Sequence, residues 1–365
     1  MKKVWAWLKG EMVLLIALAA ALLSMCVVLP DAEYSHYVDW DVLMLLFALM
    51  AVVAGLKRCG VMDRLSGALV SRAGDTRRLC LLMVTACFFS SMLVTNDVAL
   101  ITFVPLAAAL LSGESLIWTI ALQTIAANLG SMATPIGNPQ TLYLYAAYDM
   151  PMAVFLRAVL PLTGVSLLLV LLGCLLVKPA PLVRHTQHTG AAIDRRALGL
   201  YALAFGLCLL SVLKVIPKWT CCAVMILIAC MRDRSLLKEV DYALLLTFIC
   251  FFVFVGNLGR IEAVSTALGG VIAGRELEVG LLASRVISNV PAALMLSGFT
   301  EDAAALMRAV DLGGLGTLVA SLASLISFKL YMKTSGAKAG RYMAVFTGLN
   351  VVFLLILYIL AKLGL

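Results

Sequence analysis

Two short polar sequences interrupt long apolar stretches, and their side chains could bind a solute or an ion. Thr95-Asn96-Asp97 lies within the apolar stretch 79–111, and Ser288-Asn289-Val290-Pro291 lies within the stretch 280–298. Amide and hydroxyl groups donate hydrogen bonds to anions, whereas amide and carboxylate oxygens accept them and can hold cations. We therefore take both sequences as candidate binding sites.

A second pair of interruptions follows them. The segment 130–139 contains two glycines and two prolines, among them Gly137 and Pro139 around Asn138. Such residues break a helix and free backbone groups that protein, water or a ligand must satisfy. The segment 311–317 shows a related pattern, so two discontinuous helices are expected.

The interruptions match each other in chain order. Asn96 aligns with Asn289, the segment 128–134 aligns with 311–317, and that alignment places Asn138 opposite Ser321. Upstream, Asp41 and Asp241 each open an apolar span. Three matches in one order indicate an internal repeat.

The composition places these elements in a membrane. The chain has 365 residues, 63% of them hydrophobic and 13% charged, with a mean hydropathy of +1.05. Soluble domains contain roughly 45–50% apolar and about 25% charged residues. The apolar runs are continuous rather than alternating, which predicts helices in a lipid bilayer and not a β-barrel. The ten cysteines include no C-x-x-C pair and favour neither a disulfide framework nor a zinc site.

The basic residues predict the orientation of the spans. The net charge of +8 comes from clusters between spans, where the positive-inside rule places them, so we expect no nucleic-acid partner. Lys2, Lys3 and Lys9 predict a cytoplasmic N-terminus, and continued alternation puts the C-terminus outside. The fold class expected is an all-α polytopic protein of the cell membrane. It would have about nine transmembrane helices, two re-entrant hairpins and two repeats of inverted topology with discontinuous helices.

Four regions follow from this pattern. Residues 1–40 form a first helix and outer loop, and residues 178–240 form a cytoplasmic linker with two helices. Residues 41–177 form the first repeat, with a hairpin at about 79–112 and a broken helix at about 115–147. Residues 241–365 form the second, with a hairpin at about 277–300 and a broken helix at about 302–331.

Paired breaks in inverted halves are the sequence mark of a transporter site. Opposed helix N-termini stabilise an anion at low dielectric, and opposed carbonyl ends can hold a small cation. The residues expected to bind substrate are Thr95, Asn96, Thr134, Asn138, Ser288, Asn289, Thr317 and Ser321. Those expected in ion coupling are Asn96, Asp97, Gly137, Arg285 and Asn289. The plainer alternatives are that the two tip asparagines cap helices and that Gly137-Asn138-Pro139 is a packing kink.

Asp97 and Arg285 leave three interpretations open. An ionisable group in a re-entrant segment indicates function by default, so Asp97 could coordinate a cation or carry a proton. It could instead form an ion pair with Arg285, or face an aqueous vestibule. Arg285 could also attract the anion. In the alignment of the repeats, Asp97 lies opposite Val290 and Arg285 lies opposite Met92. Neither charged residue therefore has a charged counterpart in the other repeat.

The tips 95–97 and 288–290 and the break at 137–139 resemble the ion transporter superfamily over essentially the whole chain. The likeness is to citrate-transporter-like permeases of the divalent anion:sodium symporter group, with the arsenical pump membrane proteins as near relatives. It implies a substrate site between two tips and two unwound helices, sodium ions beside the tips at Asn96, Asp97 and Asn289, homodimers and elevator-type transport. Asp97 and Val290 stand where the carboxylate transporters have threonine, and the Asn-Asp pair is similar to the arsenical-pump branch.

The function expected is secondary active transport of a small anion, such as a carboxylate or an inorganic oxyanion, coupled to sodium or protons. An arsenite-type exporter, a sodium/proton antiporter and a passive anion channel are the alternatives. We expect no enzyme, because no nucleophile or metal cluster stands at bilayer depth, and no cofactor apart from a sodium ion. An ATPase subunit is expected only if the chain works like an arsenical pump. His185 and His188 have metal-like spacing but lie in a polar linker without a third ligand.

Overall fold

The computed structural model describes residues 11–61, 64, 65, 68, 72–182 and 194–364. Those ranges are nearly all helical, and they also contain an isolated β-bridge between Asp75 and Pro181. The lysines at 2, 3 and 9 and the histidines at 185 and 188 lie outside the described residues.

The described helices are numbered in chain order. They are α1 Met12–Val27, α2 Tyr34–Tyr37, α3 Trp40–Arg58, α4 Thr76–Val94, α5 Asn96–Leu110, α6 Gly113–Ser131, α7 Pro139–Ala147, α8 Met152–Leu175, α9 Arg195–Val212, α10 Lys218–Met231, α11 Tyr242–Arg260, α12 Glu262–Ile272, α13 Glu276–Ile287, α14 Asn289–Ser297, α15 Ala303–Gly313, α16 Leu322–Met332 and α17 Ala339–Lys362. A short 3₁₀ helix, Arg234–Lys238, precedes α11.

The chain is an all-α polytopic membrane protein. Among the described residues, six helices are long and apolar enough to cross a membrane, namely α3, α4, α8, α9, α11 and α17. Helices α1 and α10 are apolar but shorter, at 16 and 14 residues. The predicted count of about nine crossings corresponds to the long helices other than α4, which belongs to the first hairpin, together with α1, α10 and the two broken helices.

The fold contains two helical hairpins and two breaks between helices. The first hairpin is α4 with α5, joined at Thr95, and the second hairpin is α13 with α14, joined at Ser288. The first break is residues 132–138, between α6 and α7. The second break is residues 314–321, between α15 and α16.

The helices pack into two groups around the breaks. In one group α3 packs against α9 and α10, and α1 packs along α11. In the other, α6 packs against α4, α5, α8 and α17, and α5 also packs against α16. Helices α7, α14 and α15 contact one another. In addition, α7 contacts α3 and α14 contacts α11, both of which belong to the first group. The first break therefore lies inside the protein, whereas the second break is partly exposed at Thr317 and Val319.

Aspartate caps begin several of these helices. Asp39 accepts a hydrogen bond from the Val42 N–H at 2.9 Å, and Asp241 accepts one from the Leu244 N–H at 2.9 Å. A side-chain oxygen at this position satisfies one free N–H of the first turn. The sequence alignment of Asp41 with Asp241 is therefore wrong by two residues, since Asp41 lies within the first turn and faces Lys218 at 3.7 Å.

A candidate binding site where two broken helices meet two hairpin tips

The two hairpin tips have nearly the same backbone conformation. Thr95 has φ 73° and ψ 154°, and Ser288 has φ 77° and ψ 157°. Residues with a Cβ rarely adopt this region, which costs of order 1–3 kcal/mol and persists where the surrounding structure imposes it. The same strain at matched positions shows that the two tips are built alike.

Each tip is bonded to the break of its own half. The Asn96 N–H donates to the Gly137 carbonyl at 3.1 Å, and the Asn289 N–H donates to the Ala320 carbonyl at 3.0 Å. The acceptors directly precede Asn138 and Ser321, which are the N-cap residues of α7 and α16. These equivalent hydrogen bonds are in line with the predicted alignment of Asn138 with Ser321.

The tip asparagines also stabilise their own helices. The side-chain oxygen of Asn96 accepts from the Asp97 N–H at 2.9 Å, and that of Asn289 accepts from the Val290 N–H at 3.0 Å. The amide nitrogen of Asn96 donates in addition to the side-chain oxygen of Asn128 at 3.2 Å. Both asparagines are buried. Each asparagine is the first residue of its helix and satisfies one N–H of the first turn, whereas the N-cap residues are Thr95 and Ser288, whose side chains make no capping hydrogen bond. Asn96 also reaches the polar cluster described next.

Asn128, at the end of α6, connects the first half to the second break. Its side-chain oxygen accepts from the Ser321 hydroxyl at 3.1 Å, and its amide nitrogen donates to the Gly314 carbonyl at 3.4 Å. Asn128 and Ser321 are both buried. The cluster therefore joins a tip, the end of one broken helix and the beginning of the other.

Asp311, at the end of α15, makes the reciprocal connection to the first break. Its carboxylate accepts from Thr141 Oγ1 at 2.9 Å, from Gln140 Nε2 at 3.2 Å and from Asn138 Nδ2 at 3.3 Å. Asp311 is 2% exposed. Several donors around a buried carboxylate compensate for its lost hydration.

Four helix N-termini meet in this region. Helices α5 and α14 begin at the tips, and α7 and α16 begin at the breaks. Each N-terminus carries a partial positive charge, which favours an anion. At α14 the first two N–H groups are already bonded to the Ala320 carbonyl and the Asn289 side chain, and Pro291 has no N–H, so this terminus contributes its dipole and no free donor. The ends of α4, α6, α13 and α15 bring carbonyl groups to the same region, and these favour a cation.

Asp97 and Arg285 do not form an ion pair. The Asp97 Oδ1 and Arg285 Nε atoms are buried without a hydrogen-bond partner, and the ion pairs found among the described residues do not include either side chain. The ion-pair interpretation is therefore wrong for this conformation, because Arg285 is turned toward the second break, near Gly316.

The two predicted threonines lie in different surroundings. Thr134 is half-buried and donates to the Met92 carbonyl at 2.5 Å, so it ties the first break to α4. Thr317 is exposed, and its hydroxyl accepts from the Ala320 N–H at 3.2 Å. No hydrogen bond in the described part of the chain connects Thr317 to Asn128 or Asp311. Ser288 is buried at the second tip, with its hydroxyl 3.4 Å from the Asn289 side-chain oxygen.

The cluster also includes Ser131, whose hydroxyl accepts a hydrogen bond from Asn138 Nδ2 at 3.1 Å. Sequence reasoning missed five members of the cluster, which are Asn128, Ser131, Gln140, Thr141 and Asp311. The available signal was the alignment of Asn128 with Asp311, which places a carboxylate and an amide at matching positions of the repeats. Gln140 and Thr141 follow the break directly and belong to the first turn of α7. In the described ranges no group of three His, Cys, Asp or Glu side chains could hold a metal ion.

The comparison with protein families decides the class. Residues 4–311 match the family model described as "Citrate transporter". The chain belongs to the citrate transporter family. It is a membrane transport protein for solutes, and this family membership agrees with the resemblance carried by the tips and the break.

Relatives in other organisms support the same class. The chain is 32% identical over 315 residues to the inner membrane protein YbiR of Escherichia coli, covering 84% of each chain. It is 35% identical over 154 residues to the silicon efflux transporter LSI3 of Oryza sativa, covering 41% of this chain and 31% of that protein. The fold is similar to that of the YdaH transporter of Alcanivorax borkumensis, with a TM-score of 0.55, 17% identity and 96% of each chain covered.

Proposed function

We propose that the protein is a secondary active transporter that moves a small anion, such as a carboxylate or an inorganic oxyanion, across the cell membrane. The observation that carries this proposal is the meeting of four helix N-termini where the Asn96–Asn128–Ser321 and Asn138–Asp311 contacts join the two halves. The N-terminal ends of these helix dipoles offer positive potential to an anion that would otherwise be costly inside a membrane.

Solute binding in this proposal replaces hydrogen bonds that now close the site. Asn128 with Ser321 and Asn138 with Asp311 bond directly across the two halves. A bound oxyanion takes over the donors of Ser321 and Asn138, and so the two breaks separate slightly around it. The hairpin tips then act as gates on either side, and the transporting part of the protein moves in an elevator-type step.

Coupling to sodium or protons is assigned to Asp97 and the first tip. The Asp97 Oδ1 atom is buried without a hydrogen-bond partner and is adjacent in sequence to the Asn96 side-chain amide. A buried carboxylate oxygen without a partner is costly, and a bound cation or proton removes that cost. Sodium is in this view a transported ion, with Asn96, Asp97 and Asn289 as its proposed ligands.

A second candidate is export of an arsenite-type solute. The carboxylate of Asp311 stands in the polar cluster, while Arg285 faces the second break near Gly316 instead. A carboxylate with surrounding amides and hydroxyls suits an uncharged hydroxylated acid, which donates and accepts hydrogen bonds. The name of the rice relative, a silicon efflux transporter, is in line with this candidate.

A transport assay with purified protein in liposomes tests the function. We expect one small oxyanion from a panel of citrate, succinate, sulfate, arsenite and silicic acid to accumulate against its gradient when sodium or pH gradients are imposed. Protein-free liposomes are the control. Movement of arsenite or silicic acid alone would select the second candidate, and mere equilibration of an anion would show a channel and contradict active transport.

The proposal places the two repeats in inverted orientation, with a cytoplasmic N-terminus and an external C-terminus. Arg78 and Ser112 mark the open end of the first hairpin, and Arg275 and Glu301 mark that of the second; all four are exposed. In a cysteine-depleted background, cysteines at 78 and 112 should react with an impermeant maleimide from the cytoplasmic side, and cysteines at 275 and 301 from the outside. Labelling of all four from one side would contradict the inverted arrangement, and opposite labelling within one hairpin would show that it crosses the membrane.

A further inference from the structure

A cavity of about 520 Å³ lies between the second hairpin, the second break and α17. It is separate from the polar cluster, because neither Asn128 nor Asp311 lines it. The lining residues that matter here are Leu282, Arg285, Gly316, Thr317, Val351 and Leu355.

Arg285 brings an uncompensated positive charge to this cavity. Its Nε atom is buried and has no hydrogen-bond partner. In the described portions of the chain, no hydrogen bond or ion pair to its guanidinium is found. Glu278 also lines the cavity, but its carboxylate is already paired with Lys362 and accepts a hydrogen bond from Tyr358 at 3.2 Å. Arg285 as a whole is half-buried, so its guanidinium can be reached by a ligand, and an unpaired arginine in a largely apolar cavity favours an anionic group.

Comparison of the two repeats shows why the opening exists in the second half. The residue that matches Arg285 in the first half is Met92, whose carbonyl is bonded to Thr134. Thr317, the match of Thr134, instead bonds within its own break. At Gly316 the backbone has φ 116°, and a Cβ there would lie 3.4 Å from Arg285 Nε. The second break is thus shaped to leave the guanidinium accessible from the cavity.

The rim of the cavity is apolar and opens on the side of the protein that faces the bilayer. Leu282, Val351 and Leu355 are 61%, 53% and 58% exposed. On a membrane-spanning helix such as α17, exposed leucine and valine side chains face acyl chains rather than water. A ligand that enters from this side and reaches Arg285 must combine an apolar chain with an anionic head.

We propose that this cavity binds the headgroup of an anionic phospholipid, with its phosphate on Arg285 and the beginning of an acyl chain along Leu282 and Leu355. Arginine suits this role because its planar guanidinium can donate two parallel hydrogen bonds to one phosphate. The bound lipid bridges α13 and α17 and so holds the second hairpin against the last helix. Anionic lipid in the membrane then regulates how readily this hairpin moves.

The test compares lipid binding to the wild-type protein and to Arg285→Met, which carries the residue found at the matching position 92. In neutral detergent, short-chain phosphatidic acid should raise the melting temperature of the wild type, whereas phosphatidylcholine and inorganic phosphate should not. Native mass spectrometry should show lipid occupancy lower by about tenfold in Arg285→Met, as expected when a charge-assisted hydrogen bond is lost.

Two further variants keep the test decisive. Arg341→Met removes an exposed arginine from the opposite end of α17, where it pairs with Glu114, and it should bind lipid like the wild type. Leu355→Trp should weaken binding by filling the rim with Arg285 intact, and it replaces Arg285→Met if that variant does not fold. Equal stabilisation by inorganic phosphate would show a soluble-anion site and overturn the proposal. Unchanged lipid occupancy in both Arg285→Met and Leu355→Trp would overturn it as well.

Discussion

Replacement of Asp311 by asparagine is expected to reduce transport at least about tenfold and to lower the free energy of unfolding by about 1–3 kcal/mol. The carboxylate accepts hydrogen bonds from Thr141, Gln140 and Asn138. All three donors meet the same oxygen, Oδ1, and Thr141 also reaches Oδ2 at 3.1 Å. An asparagine at 311 can place its oxygen there but carries no negative charge, so these hydrogen bonds lose their charge assistance. The contact between α15 and the first break would therefore loosen.

The measurement pairs solute uptake in liposomes with thermal melting in detergent. Asp302→Asn is the matched control, because Asp302 caps the same helix by accepting the Ala305 N–H at 2.8 Å and lies exposed at its start. Asparagine caps a helix about as well as aspartate, so this variant should retain wild-type uptake and stability. Wild-type uptake by Asp311→Asn would remove Asp311 from the proposed transport site.

The general architecture could be predicted from the sequence because its signals are local. The first hairpin was expected at about 79–112, and the structure places its helices at 76–110. Long apolar runs must form helices in a bilayer, and Gly137 and Pro139 break a helix wherever they lie. The order of helices, tips and breaks follows from such information.

The partners of the site residues could not be predicted in the same way. Asp311 lies about 170 residues from Gln140 and Thr141, and no local pattern states that they meet. The direction of a long side chain also depends on tertiary packing. Arg285 is four residues from Asn289, which suggested a role at the tip, but it faces a lateral cavity. The alignment of the two repeats therefore indicated which residues are equivalent, but it could not predict which side chains contact each other.

Crossed contacts between the halves suggest how the site responds to a solute. Asn128 of the first half bonds to the second break, and Asp311 of the second half bonds to the first. Displacement of either break therefore changes the contacts of the other half. Each tip is also bonded to the break of its own half, through the Asn96 N–H in the first half and the Asn289 N–H in the second. Binding of a solute at one break therefore also affects the tip of that half.

Replacement of Gly137 by alanine is expected to disrupt the first break and abolish transport. A Cβ at this position would lie 2.0 Å from the Ser131 carbonyl oxygen. The obstacle is backbone, so it cannot be relieved by a side-chain rotation. Overpacking of this kind costs roughly 1–3 kcal/mol or more. The displaced backbone would also carry the Gly137 carbonyl away from the Asn96 N–H, and it would shift Asn138 relative to Asp311.

Gly164→Ala provides the matched control, because Gly164 lies within α8 and a methyl group added there would meet no atom within 4 Å. Alanine is a better helix former than glycine by about 1 kcal/mol, so this variant should melt at or slightly above the wild-type temperature and transport normally. For Gly137→Ala we expect a lower melting temperature and no uptake in liposomes. The two variants add the same methyl group, so the difference between them measures the close approach of Gly137 to Ser131. If Gly137→Ala melted and transported like Gly164→Ala, the tight turn at the first break would not be needed for the site.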